Sequence, residues 1–225
     1  MPDILENLNR RFDHAALQQE AAEDDIRKLC REARKYDFYS VAINPVWVGL
    51  AREELQHTPV KILSVSGFPL GAHRTDIKIA EAVKGVSDGA HEIDMVANIA
   101  WLVSGQFKKA ENEIAEIRKN LPYNIVLKVI IEAGKLTPAG RVDATRAVVN
   151  GGAQFVKTCT GFFGGAAVEQ VRDLFNAARG EIKVKASGGI RSLQQCRQLL
   201  EAGATRLGSS SSTAILNELK NTLKA

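Results

Sequence analysis

Short apolar runs alternate with longer amphipathic stretches along the whole chain. Runs rich in Val and Ile at residues 12–17, 40–44, 60–67, 91–97, 125–132, 154–159, 182–187 and 205–209 predict strands, the first of them short and faint in pattern. Between them, apolar positions recur at helical spacing over 23–37, 45–56, 75–85, 107–120, 138–150, 167–178, 193–201 and 213–223. The strands lack a clean alternation of apolar and polar positions, which predicts a parallel sheet covered by helices. Glycines close several helices just before the next strand, as at Gly89, Gly151 and Gly203. Eight strand–helix units fit a TIM (β/α)8 barrel; loss of the first strand would favour an open, doubly wound sheet. No linker, low-complexity tract or composition break divides the chain, so residues 1–225 read as one domain.

Charged residues interrupt this pattern where they are least expected. Lys157 ends the run Phe155-Val156-Lys157, and Lys185 lies in Ile182-Lys183-Val184-Lys185-Ala186-Ser187. Removing an ammonium from water is unfavourable, so lysine is rare at the inner end of a buried strand. Two such lysines suggest that one amine is held partly neutral beside the other. A neutral lysine attacks carbonyl carbon, the chemistry of a Schiff-base enzyme. Free lysine titrates near about 10.4, so neutrality near pH 7 needs a shift of about three units. Repulsion from a second ammonium supplies part of it.

Asp94, within Glu92-Ile93-Asp94-Met95-Val96, and Lys128, within Val126-Leu127-Lys128-Val129-Ile130, add two charges on the intervening strands. Four charges from consecutive strands can pair in one pocket at the carboxyl ends, where barrel active sites lie. Asp94 is the candidate acid/base. The residues alone leave open which lysine is the nucleophile, and a buried ion-pair network without chemistry is the competing reading.

Two turns have the composition of an anion site. Ser187-Gly188-Gly189-Ile190-Arg191 and Leu207-Gly208-Ser209-Ser210-Ser211-Ser212 each follow a strand and open a helix. Glycine permits close backbone approach, and helix N-terminal amides favour an anion such as a phosphate. Barrels often bind phosphate after their last two strands, where these turns fall.

Composition narrows the function classes. Apolar residues make up 45% and charged residues 25%, with a net charge of +4 spread along the chain. No run of five like charges and no aromatic-basic module points to nucleic acid. Cys30, Cys159 and Cys196 have neither CxxC spacing nor His companions, and read as reduced thiols of a cytoplasmic protein. His14, His57, His73 and His91 are scattered without HxH or HExxH spacing, which argues against a zinc site. The polar N-terminus does not suit a signal peptide, and no stretch reaches the about 18 apolar residues of a membrane helix.

Taken in order, Gly67-Phe68-Pro69-Leu70-Gly71, Glu92-Ile93-Asp94-Met95-Val96, Leu127-Lys128-Val129-Ile130-Ile131-Glu132, Phe155-Val156-Lys157-Thr158, Lys185-Ala186-Ser187-Gly188-Gly189-Ile190-Arg191 and Ala202-Gly203-Ala204-Thr205-Arg206 resemble the deoxyribose-phosphate aldolases, which are class I, Schiff-base aldolases. The resemblance implies a TIM barrel that reversibly cleaves 2-deoxy-D-ribose 5-phosphate to acetaldehyde and D-glyceraldehyde 3-phosphate, without metal or organic cofactor. It implies Lys157 as the Schiff-base lysine, Lys185 as the lysine that perturbs it, Asp94 as the proton donor and acceptor, and Lys128 as the partner of Asp94. Gly188, Gly189, Gly208, Ser210 and Ser211 match the phosphate-binding turns. The family also suggests a homodimer.

The chain departs from the family pattern near its start. Phe12-Asp13-His14-Ala15-Ala16-Leu17-Gln18-Gln19 stands where Ile-Asp-His-Thr-x-Leu-Lys-Pro is usual, keeping Asp13 as a candidate substrate-side residue. Ala42, Ala133 and Cys159 are further departures, and Ser209 replaces a threonine. All spare the charged catalytic positions. Two other readings compete: a sugar-phosphate binding protein with a decayed site, and a Schiff-base aldolase with another phosphorylated acceptor.

Overall fold

The computed structural model describes residues 4–222. Eight strands close into a parallel barrel in sequence order: β1 (Phe12–Ala16), β2 (Ser40–Ile43), β3 (Lys61–Ser66), β4 (Glu92–Val96), β5 (Val126–Ile130), β6 (Phe155–Lys157), β7 (Lys183–Ser187) and β8 (Arg206–Ser209). The faint first strand forms and closes the ring, pairing with β2 through Asp13 and Ser40 and with β8 through Asp13 and Gly208. That closure settles a TIM barrel over an open sheet. The helices are α1 (Glu23–Tyr36), α2 (Val48–Glu54), α3 (Thr75–Asp88), α4 (Ile99–Val103), α5 (Phe107–Lys119), α6 (Pro138–Asn150), α7 (Val168–Ala178), α8 (Leu193–Glu201) and α9 (Ser212–Thr222).

Local sequence explains the helices. In α1, the buried Ile26, Leu29, Cys30 and Ala33 repeat at helical spacing, so one stripe faces the barrel. Glu23, Asp24 and Asp25 crowd its first turn and Arg34 and Lys35 its last, matching the helix dipole. Ser192 accepts from the Gln195 amide while Gln195 accepts from the Ser192 amide, a reciprocal cap that starts α8 beside the barrel mouth. The short α4 is absent from the sequence expectation because five residues are too few to show a helical period. The expected helix over 45–56 begins instead with a 3-10 turn, Pro45–Trp47. Leu223 and the rest of the C-terminal tail lie outside the described residues.

The missing alternation is present in the structure, but between two kinds of interior. Ile93 and Met95 on β4, and Leu127 and Val129 on β5, enter the main core under the helices. Burying each such side chain contributes about 1.5–3 kcal/mol. Their neighbours Glu92, Asp94 and Lys128 face the barrel axis and pair with one another. On the β2–β3 side the axis is apolar: Ala42, Leu63 and Val65 form a separate cluster with Ala15, Leu17 and Phe68 against it. One half of the barrel interior is hydrocarbon and the other half is ionic. Among the described residues, no helix is long and apolar enough to cross a membrane.

Candidate active site

Asp94 is the hub of the ionic half. Its Oδ2 accepts from Lys157 Nζ at 2.8 Å and from Lys185 Nζ at 2.7 Å, and its Oδ1 accepts from Lys128 Nζ at 3.1 Å. Lys128 also donates to Glu92. Lys185 Nζ stands 2.5 Å from Asp13 Oδ2, an ion-pair contact outside hydrogen-bond geometry. Asp13 Oδ1 accepts from Ser40 Oγ at 2.7 Å and from Arg206 at 2.8 Å. All these side chains are buried. The strand register explains the convergence, since Asp94 lies opposite Lys128 and Lys157 lies opposite Lys185.

The electrostatics separate Lys128 from Lys157. Burial alone would raise the Asp94 carboxyl, but the ammoniums of Lys128, Lys157 and Lys185 outweigh it and hold the group well below the usual carboxylate range. Asp13 is held low in the same way, with burial opposed by Lys185, Lys128 and Arg206. For Lys128 burial is overcome by Asp94, Glu92 and Asp13, and its pKa rises above the ordinary lysine value. Lys157 moves in the opposite direction. Burial is the main cause and the neighbouring Lys185 adds to it, so that its amine titrates at about 8 even with Asp94 alongside. At pH 7 about a tenth of this amine is neutral, against a far smaller fraction of an ordinary lysine.

Lys157 and Lys185 open onto a cavity of about 180 Å³ at the carboxyl ends of the strands. Ala15, Leu17, Ala42 and Phe162 supply its apolar side; Gly188, Gly189, Gly208 and Ser210 supply the opposite, turn-built side. Gly188 has φ +96°, and a Cβ there would stand 2.8 Å from Gly164 O and 2.9 Å from Cys159 Sγ. The turn is bonded to the segment after β6: Ala166 N–H donates to Gly188 O at 3.0 Å, and the Cys159 thiol donates to Ser187 O at 2.7 Å. Glu132, a non-glycine residue in the left-handed region, accepts the Thr160 amide from the same segment.

Of the residues singled out in the sequence, the structure gathers Asp94, Lys128, Lys157, Lys185 and Asp13 into one network, and Gly188, Gly189, Gly208 and Ser210 around the cavity mouth. Asp13 sits within the network and not on the cavity wall. Ser211 is also off the wall, its amide donating to Ser209 Oγ at 2.9 Å. Arg191 lines the cavity as an exposed residue. Cys30, Cys159 and Cys196 are buried and unpaired, and burial pushes their thiols up to about 12, 11 and 12. Among the described residues, no group of three or more His, Cys, Asp or Glu side chains is placed to hold a metal ion.

Residues 9–216 match the family described as DeoC/LacD family aldolase. The chain belongs to that aldolase family. A protein of Caldanaerobacter subterraneus subsp. tengcongensis named deoxyribose-phosphate aldolase is 44% identical, with the similarity covering 97% of this chain and 96% of the relative. A protein of the same name from Natranaerobius thermophilus is 44% identical over 96% of this chain and 99% of its own. Among solved structures, a deoxyribose phosphate aldolase from Aeropyrum pernix, described as a unique tetramer, superposes with a TM-score of 0.88 at 34% identity, covering 96% of this chain and 92% of that one.

Two members of the ion-pair network were not singled out in the sequence: Glu92 and Arg206. The signal was present. Each lies two positions before a residue assigned to the barrel axis, Asp94 and Gly208, and period-two alternation puts both on the same face.

Proposed function

We propose that this chain cleaves 2-deoxy-D-ribose 5-phosphate reversibly to acetaldehyde and D-glyceraldehyde 3-phosphate through a Schiff base on Lys157. The observation that carries this reading is the buried Lys157 amine, titrating at about 8 and opening onto the cavity beside Asp94. Its neutral form adds to the aldehyde carbon of the open-chain sugar, and loss of water gives the protonated imine. A base takes the proton of the C3 hydroxyl, the C2–C3 bond breaks, and its electrons pass into the imine to give an enamine and glyceraldehyde 3-phosphate. Protonation at C2 and hydrolysis then release acetaldehyde. Asp94 and Lys185, both within hydrogen-bond reach of each other next to Lys157, handle these protons. Lys128 holds Asp94 from the other side. The glycine and serine turns at Gly188, Gly189, Gly208 and Ser210 take the phosphate, with Ser211 behind them and Asp13 holding Lys185.

The reading extends to residues 1–225 acting as one domain, without metal or organic cofactor, in deoxyribonucleotide breakdown in the cytoplasm. Buried, unpaired thiols support a reducing compartment. It also extends to a homodimer, supported by Phe175 and Val142 exposed on the adjacent helices α7 and α6.

Borohydride reduction in the presence of 2-deoxyribose 5-phosphate, followed by peptide mapping, tests the proposal. An adduct on Lys157, with acetaldehyde released in the unreduced control, is expected. Sugar-phosphate binding without adduct or acetaldehyde would assign a binding protein instead. Single-turnover adduct formation should rise about tenfold per pH unit below pH 8 and level off above it, because the reactive form is the neutral amine.

The phosphate turn has its own test. In Gly188→Ala the new methyl collides with Gly164 O at a left-handed backbone position. KM for the phosphorylated sugar should rise roughly tenfold, equivalent to about 1.4 kcal/mol, with cleavage of unphosphorylated deoxyribose much less affected.

A further inference from the structure

The ionic half of the barrel continues well below the amine that reacts. With every amine protonated, the network holds four cations, Lys128, Lys157, Lys185 and Arg206, against three carboxylates, Asp13, Glu92 and Asp94. Among the described residues, each ion pair made by this set is made within it. The excess is one positive charge among buried side chains. Buried charge is tolerated when it is balanced, so loss of a single proton brings the whole set to neutrality. Lys157, the member that borders the cavity with Asp94 as its single ion-pair partner, is the one placed to lose it.

We propose that Arg206 and Glu92 are positioning residues that set, from the amino-terminal side of the barrel, whether the Lys157 amine carries a proton. The inference rests on the Schiff-base reading above. Neither residue contacts Lys157. Arg206 donates to Asp13 Oδ1 at 2.8 Å, stands 3.9 Å from Glu92 Oε2, and stacks 3.4 Å over the Tyr39 ring. Glu92 receives Lys128. Through these contacts Arg206 is joined by Asp13 to Lys185, and Glu92 by Lys128 to Asp94. Lys185 and Asp94 are the two groups pressed against Lys157.

The other elements around Lys157 add little that could mask this count. β2 contributes the neutral Ser40, and β3 the apolar Leu63 and Val65. Beyond β6, burial lifts the Cys159 thiol to about 11, so it is uncharged. Glu132, beyond β5, is a buried carboxylate spent on the Thr160 amide. Arg191 is exposed at the mouth, where water screens it.

The test is the pH profile of single-turnover borohydride trapping in three variants beside the unaltered protein. Arg206→Met removes a cation and should move the midpoint for adduct formation up by about one pH unit. Glu92→Gln removes an anion, keeps an acceptor for Lys128, and should move it down by a similar amount. Arg206→Lys restores the charge without the guanidinium geometry and should bring the midpoint back towards that of the unaltered protein. A merely structural role would lower the adduct yield or the melting temperature and leave the midpoint in place in all three. Unshifted midpoints, or shifts of the same sign for Arg206→Met and Glu92→Gln, overturn the inference. Should Arg206→Met fail to fold, the nearly isosteric Glu92→Gln still decides it by the downward shift or its absence. Absence of a Lys157 adduct in the unaltered protein at every pH would overturn the Schiff-base reading instead.

Discussion

Replacing Lys157 with methionine should abolish turnover, by roughly 10⁴-fold or more, while leaving the barrel folded. The size follows from the chemistry: removing a covalent nucleophile removes the route itself, and such losses in other enzymes are of this order or larger. The preserved fold follows from the local contacts. Methionine has nearly the length of the lysine stem and no charge to desolvate. Asp94 keeps both Lys185 at 2.7 Å and Lys128 at 3.1 Å. Stability should therefore change by no more than about 1 kcal/mol. Acetaldehyde release at saturating sugar phosphate, together with a urea midpoint, checks both halves. Normal turnover in Lys157→Met would sink the assignment of the nucleophile.

Asp94→Leu should be the most destabilising single change in the interior. Three lysines lose a shared acceptor, and breaking a buried ion pair by removing one partner is worth about 3–5 kcal/mol. Turnover should be lost with it. The pH dependence has a definite sign. In the unaltered protein the Asp94 carboxyl is held below its ordinary value of 3.8, so its contribution is present in full above that pH and is lost as pH falls through the depressed folded value. In Asp94→Leu the unpaired groups are cationic, so the deficit shrinks as the solution becomes alkaline and amines lose protons. Urea denaturation at pH 7 and pH 9.5 measures the difference; an unchanged deficit would show that the lysines are not the source.

Much of this was legible because two signals coincide along the chain. Strand spacing placed all eight strands to within a few residues, and charges interrupting those strands marked Asp94, Lys128, Lys157 and Lys185. What could not be read is what depends on closure. Period-two spacing puts Arg206 on the axis side of β8, but its partner is set only when β8 meets β1 and brings it to Asp13, which is 193 positions away in sequence. The apolar half of the interior is hidden for a similar reason. Ala42, Leu63 and Val65 resemble outward core residues in sequence, and only the pleat assigns them to the axis. Ser211 shows the limit of composition. A run of four serines does not say which hydroxyls and amides are already used inside the turn, and Ser209 uses several of them.

The bonding of the Gly188 turn to the segment after β6 makes the site a measuring device. Lys157 ends β6 and Gly188 follows β7, and the two are tied by Thr158 N–H to Lys185 O and Ala166 N–H to Gly188 O, both at 3.0 Å. In the proposed reading, the span from amine to phosphate is set by this main chain together with the Asp94 contact that holds the lysine side chain. It works as a ruler for the number of carbons between a carbonyl and a phosphate. Changing the walls at Leu17 or Phe162 alters what fits beside that carbon chain, while its permitted length stays written in the backbone and the Asp94 contact.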